Sequence, residues 1–184
     1  MPGFAKEYDF AIDAAIEMGL LKEAPLMTEI YMVRADDQLE GLIDDLGALT
    51  ERGEWHLSVA LQLLAKTAFS NSKNKGFHEE PRNFPEELAL VHSEVSETLE
   101  EHRDGHGFSE HYYRDKINGP TEHALNPITG ELNKPEGIPA EIADIIIRLG
   151  DICGNEDRPV DISRAVIEKL RYNATRPHKN GKLY

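Results

Sequence analysis

The 184-residue sequence predicts an all-α fold, and two observations carry that expectation. Apolar residues recur at the three- and four-residue spacing of a helix along most of the chain. Runs that alternate apolar with polar residues are scarce, and clusters of Val, Ile, Thr and aromatic residues at period two are absent.

Five or six helices follow in order. The first covers about Ala5 to Gly19 and is closed off by Pro25. In the second, about Met27 to Leu49, Ile30, Val33, Leu39, Leu42, Ile43, Leu46 and Leu49 keep helical spacing, and Gly53 punctuates its end. A third, about Trp55 to Asn71, has an apolar face of Leu63, Leu64, Thr67 and Ala68, with Trp55 expected to pack it. A polar, Pro-containing connector over 73–85 leads to a fourth helix, about Glu86 to Arg103. Residues 104–135 are rich in Gly, Pro, Asn and His and read as one long loop, a length that is usually functional or disordered. The fifth helix opens on Pro139, a good first-turn residue, and ends near Gly154. The sixth runs from near Pro159 to before Pro177, and the tail is polar.

The length suits one domain with a full core. The expected division is an N-terminal helical extension over 1–55 and a main domain over 56–184 that carries the 104–135 insert. With 34 acidic against 20 basic residues the net charge is −14, which repels a nucleic-acid backbone and argues against a duplex-binding role. No apolar run is long enough to cross a bilayer, and the first residues lack a signal-peptide core, so no membrane partner is expected. The single cysteine, Cys153, excludes an internal disulfide. Together these features favour the cytoplasm. Cys153 falls on an apolar stripe and is expected to be an inert core thiol.

The chemistry-bearing pattern is acidic. The fourth helix carries Glu94, Glu97 and Glu101; the fifth carries Glu141, Asp144, Arg148 and Asp151. Offsets of three and four put each set on one stripe. Leu88, Val91, Val95 and Leu99 are the expected core stripe of the fourth helix, and Ile142, Ile145, Ile146, Leu149 and Cys153 that of the fifth. Packing by those stripes would gather Glu94, Glu97, Glu141 and Asp144. Four gathered carboxylates repel unless a cation neutralises them. A hard divalent ion with oxygen ligands answers this, and magnesium, which takes a few carboxylates plus water and phosphate, fits best. Zinc and copper prefer nitrogen and sulfur. A solvated acidic face on an acidic protein is the competing reading, and spacing alone leaves both open.

The residues around these carboxylates narrow the choice. Ser93-Glu94-Val95-Ser96-Glu97 followed by Glu141-Ile142-Ala143-Asp144 resembles the E-x-x-E…E-x-x-D signature of the all-α nucleoside triphosphate pyrophosphatase superfamily, to which MazG belongs. Lys75-Gly76-Phe77 and Arg82-Asn83-Phe84 resemble the segment before its first acidic helix, and Lys134 to Glu141 its entry to the second. Glu168 to Pro177 is similar to its last helix. The resemblance covers about Val59 to Tyr184. It implies a four-helix MazG-type core with additional N-terminal helices. It also implies Mg²⁺, or Mn²⁺ as a substitute, on Glu94, Glu97, Glu141 and Asp144, and phosphate contacts from Lys169, Asn173 and Arg176. The last three share one helical face, although a basic helix C-terminus is also favoured by the macrodipole alone. Lys75, Phe77 and Phe84 would contact the substrate; the two aromatics read equally as base-stacking groups or as core anchors. His92 reads as a packing residue or one that orients a ligand.

The implied reaction is hydrolysis of an NTP or dNTP to the monophosphate and pyrophosphate, for control of nucleotide pools or removal of non-standard nucleotides. Glu94 and Glu97 are the expected catalytic carboxylates, with Glu97 as proton acceptor. The family's habit of forming dimers, or dimers of dimers, implies a homodimer or homotetramer. Two departures stand out: the Glu97–Glu141 separation is longer than the family usually shows, and the first 55 residues match nothing in it. Other readings remain: a hydrolase of phosphoribosyl-ATP or an alarmone on the same fold, or a non-catalytic helical interaction module. A di-iron carboxylate bundle needs Glu-x-x-His pairs, and neither acidic helix has one.

Overall fold

The computed structural model describes residues 41–45, 47–80 and 83–177. The helices expected over 5–19 and 27–40 lie outside the described residues. Four helices dominate the described chain: α1 (Glu51–Asn74), α2 (Phe84–Arg103), α3 (Ile138–Gly154) and α4 (Ile162–Ala174). Three short strands join them: β1 (Tyr112–Asp115), β2 (Gly119–Thr121) and β3 (Lys134–Glu136). The described chain is therefore predominantly helical but not purely so.

The helix starts follow local chemistry. Thr50 caps α1, its hydroxyl accepting from the Gly53 N–H at 3.1 Å and donating to the Gly41 carbonyl at 2.7 Å. Asn83 and Glu86 form a reciprocal capping box at the start of α2, and Pro85 occupies the first turn, so the helix begins at Phe84, two residues before the expected start. Asp161 caps α4 by accepting from the Arg164 N–H at 3.0 Å. At the other end of α1, Gly76 (φ 83°) reverses the chain. Its N–H reaches the Lys73 carbonyl and the Phe77 N–H reaches that of Ser72, the two bonds of a Schellman motif.

Gly41–Leu49 was expected to finish the second helix, and its described residues do not. Gly41 and Gly47 adopt positive φ, Asp44 accepts from the Ala48 N–H at 2.8 Å, and Ile43 bridges Leu49 in antiparallel fashion. The turn chemistry of Asp and Gly outweighs the helical spacing of the leucines.

The 104–135 segment is likewise more ordered than a plain loop. Residues 112–134 belong to a compact unit separate from the helical unit of 41–111 and 135–177. In it β1 and β2 form an antiparallel hairpin, with Tyr113 opposite Thr121 and Asp115 opposite Gly119. Buried Asp115 accepts from the N–H groups of Ile117 and Asn118 at 2.8 Å each and from the Asn126 side chain. These donors, the backbone N–H of Asn118 first among them, hold its carboxyl below the usual range. Asn126 in turn accepts from Ile128 and Thr129, so one polar network organises the whole turn region.

In the helical unit α3 packs against both α1 and α2, and α4 packs against α1. The α1–α3 contact is close. A Cβ on Gly154 would lie 2.2 Å from the Ala65 carbonyl oxygen, and one on Gly150 would lie 3.2 Å from the Ala68 Cβ. Ala65, Ala68, Phe69 and Ile138 are the buried apolar residues of the described chain. The Arg158 Nη2 donates to both carboxylate oxygens of buried Glu87, at 2.6 and 2.7 Å, and ties the α3–α4 turn to α2. Arg171 and Glu54 pair α4 with α1, and the Ser163 hydroxyl donates to the Ser58 carbonyl at 3.1 Å.

The expected core stripes are only partly covered among the described residues, with Val91, Ile145 and Cys153 half-buried. Leu88, Val95 and Leu99 on α2 are exposed, and so are Ile142, Ile146 and Leu149 on α3. Leu63 and Trp55 on α1 are exposed as well, against the expectation that they face a core. Periodicity marks an apolar face without saying what covers it, and α3 is apolar around most of its circumference. Its contact with α1 is decided by the glycines, which let the backbones approach most closely.

Two predictions concern this architecture. Gly154→Ala should destabilise the fold by about 1–3 kcal/mol, because a helix backbone must move to admit the methyl group. Gly107→Ala, which meets only Glu110 atoms at 3.9 Å, should leave thermal melting nearly unchanged. Beyond the end of α2, His106 Nδ1 lies 2.8 Å from Glu110 Oε1, which raises the His106 pKa, while the Gly107 N–H and then His106 lower that of Glu110. The His106 contribution is full below its unfolded pKa and fades as pH rises through the raised folded value. That of Glu110 is full above its unfolded pKa and fades as pH falls through the lowered one. An NMR titration should place the His106 midpoint above 6.5, and Glu110→Gln should bring it down; an unchanged midpoint would remove the pair.

Candidate functional site

The α2–α3 contact carries the acidic signature. Glu94 from the middle of α2 meets Glu141 and Asp144 from the first turns of α3, and one carboxylate oxygen of each lies within 4.8 Å of the others. Three of the four expected ligands are thus brought together. Glu94 is 5% exposed and Glu141 2% exposed, so neither belongs to a solvated acidic face. The Oε2 atom of Glu141 is sealed from solvent and takes no hydrogen bond, while the residue as a whole is engaged by its surroundings.

Glu97, the fourth expected ligand, is not in this group. One turn beyond Glu94, it accepts a hydrogen bond from the Ser93 hydroxyl at 3.1 Å. Offsets of three place two side chains on one stripe but not at one point.

Arg148 joins the group from α3. Its Nε donates to Glu94 Oε1, and four residues separate it from Asp144 on the same face. Three carboxylates converge, and an all-oxygen donor set suits magnesium or calcium better than zinc. The residues present therefore fit a hard divalent ion.

A second cluster lies further along α3. Asp151 accepts from the Ser72 hydroxyl at 3.1 Å and stands 2.8 Å from His78 Nε2, while the His78 ring packs on Phe69 with centroids 4.7 Å apart. Spacing along α3 places Asp151 on the ligand stripe but gives no hint of partners 73 and 79 residues away in sequence.

The expected substrate contacts are accessible. Phe77 and Phe84 are 53% and 50% exposed, so neither is a buried core anchor, and Lys75 caps the end of α1 in an exposed position. Arg82 lies outside the described residues. On α4, Lys169 and Asn173 are exposed, as is Arg176 just beyond the helix. Lys169 Nζ lies 5.6 Å and the Arg176 guanidinium 5.9 Å from the centre of the Tyr172 ring, so one aromatic gathers two cations. The structure groups these cations with each other; the carboxylates form their own group where α2 meets α3. His92 is exposed. Cys153 is half-buried, and burial raises its thiol pKa, in keeping with an unreactive thiol. No helix among the described residues is long and apolar enough to cross a membrane.

Comparison with protein-family models, with curated proteins and with solved structures gives no match for this chain.

The trio makes a direct prediction. Mg²⁺ should raise the melting temperature, by the equivalent of about 2.7 kcal/mol at a hundredfold excess over its Kd. Glu141→Gln should remove the shift. A melting curve indifferent to Mg²⁺, Mn²⁺ and Ca²⁺ alike would show that the trio holds no cation.

Proposed function

We propose that the protein is a Mg²⁺-dependent hydrolase that splits a nucleoside triphosphate into the monophosphate and pyrophosphate. The observation that carries the proposal is the convergence of Glu94, Glu141 and Asp144 across two packed helices, with Glu94 and Glu141 buried and Asp144 half-buried. The E-x-x-E…E-x-x-D resemblance supplies the reaction class, and the accessible cations Lys75, Lys169 and Arg176 supply groups for phosphate in an otherwise acidic protein.

Under this reading Glu94, Glu141 and Asp144 hold the ion, which when bound supplies charge neutralisation for the triphosphate and activation of water. Arg148 holds Glu94 from one side and aims it at the group. Glu97 is the proton acceptor. It stands outside the trio, one turn beyond Glu94, where the Ser93 hydroxyl donates to it. Phe77 or Phe84 stacks on the base, and Lys169, Asn173 and Arg176 contact phosphates.

The working unit is a homodimer or homotetramer. Supporting this is the row of exposed Val95, Leu99, Ile142 and Ile146, whose burial would remove more apolar surface from water than scattered surface residues account for. Sedimentation equilibrium yielding only monomer at micromolar concentration would remove this part of the proposal.

A Mg²⁺-dependent screen of all ribo- and deoxyribonucleoside triphosphates tests the reaction. Monophosphate plus pyrophosphate is the expected product pair; nucleoside diphosphate plus phosphate would move the attack to the terminal phosphorus. Glu97→Gln should lower kcat by about 10²–10⁴-fold, the usual scale of general-base catalysis, while melting stays unchanged. Full activity in that variant would take Glu97 off the catalytic list.

A further inference from the structure

The segment that leaves α1 is fixed to the helix that carries two of the three clustered carboxylates. Gly76 turns the chain back through the Schellman motif, so Phe77 and His78 fold against the end of α1. His78 then meets Asp151, two turns along α3 from Asp144. Its Nε2 lies 2.8 Å from Asp151 Oδ1, and the Ser72 hydroxyl takes Oδ2 at 3.1 Å. Both carboxylate oxygens of Asp151 are thereby used, one by the turn and one by the helix the turn leaves. The two side chains are only 15% and 21% exposed, and the Phe69 ring seals the histidine from the other side. An uncharged His78 must carry its proton on Nε2 to serve Asp151, which fixes its tautomer and ring orientation. The neighbours of His78 on this turn, Lys75 and Phe77, remain exposed. The clasp thus orders the backbone of a segment whose side chains are presented to solvent, an arrangement that core stability alone does not call for.

We infer that the His78–Asp151–Ser72 clasp is a positioning device, holding Lys75 and Phe77 in register with α3 so that the turn forms one wall of the nucleotide site. The clasp rests on geometry alone; the nucleotide as occupant rests on the reading under Proposed function. Asp151 and the ligands Glu141 and Asp144 are rigidly spaced along one helix, roughly 10 Å from Asp144 to Asp151 at 1.5 Å per residue. His78 is a positioning residue here and does not touch the reacting atoms.

The test uses the full chain with His78→Ala and His78→Gln, the glutamine retaining an N–H that can serve Asp151. Hydrogen exchange of the Phe77–Glu80 amides should accelerate at least severalfold in His78→Ala, with α2 and α3 amides unchanged, and should return toward the wild-type rate in His78→Gln. For the triphosphate that the wild type hydrolyses, KM should rise about tenfold in His78→Ala with kcat within about threefold, the pattern of lost positioning in binding. Glutamine should again restore it. Unchanged exchange overturns the clasp. Accelerated exchange with unchanged KM overturns the wall, as does a fall in kcat with KM constant. A wild-type chain that is folded yet hydrolyses no triphosphate overturns the nucleotide reading and the wall with it, and exchange alone then decides the clasp.

Discussion

The backbone-to-backbone approach of α1 and α3 is the constraint on which the rest of the helical unit depends. Gly154 sits where any Cβ would enter the Ala65 carbonyl, and Gly150 closes on Ala68 one turn earlier. Such proximity turns α3 so that Glu141, Asp144 and Arg148 meet α2, and it brings Asp151 within reach of Ser72 and His78 on the α1 side. Buried apolar volume contributes little to this orientation, because the buried apolar residues among those described are two alanines, one phenylalanine and one isoleucine. Polar ties complete the unit. Arg158 to Glu87, Arg148 to Glu94 and Arg171 to Glu54 each join two elements distant in sequence.

Burying Glu94 and Glu141 at the α2–α3 contact has a cost that must be met. A carboxylate moved out of water loses several kcal/mol unless charge or hydrogen bonds replace its hydration. Arg148 helps to meet that cost for Glu94. Three carboxylates that converge on one point are also an arrangement suited to holding a cation.

Much of this was legible in the sequence, and the failures have particular causes. Capping residues, prolines and helical spacing located α1 through α4 to within a few residues, except that α1 begins earlier and α4 later than expected. The grouping of Glu94, Glu141 and Asp144 was legible because two acidic stripes border apolar ones; the separation of Glu97 was not, since spacing gives a shared stripe and not a shared point. Leu42, Ile43 and Leu49 kept helical spacing yet belong to a glycine-bounded turn, which shows local turn chemistry outweighing periodicity over a short span. The 104–135 segment lacked a strand signature because its hairpin is short and is organised by Asp and Asn side chains rather than by alternating apolar residues. Contacts such as His78 with Asp151 join positions too far apart in sequence for spacing to reveal.

That polar organisation of the hairpin has a thermodynamic consequence. Ile117, Ile128 and Leu132 are already in solvent in the folded chain, and the interior of the turn is Asp115 with Asn126 and Asn133. Opening the turn formed by residues 115–133 exposes little more of these three apolar side chains, so its local opening carries a small heat-capacity change and a shallow dependence on denaturant. Its stability curve is correspondingly flat. Cooling, which weakens apolar cores, leaves a fold of this kind almost untouched.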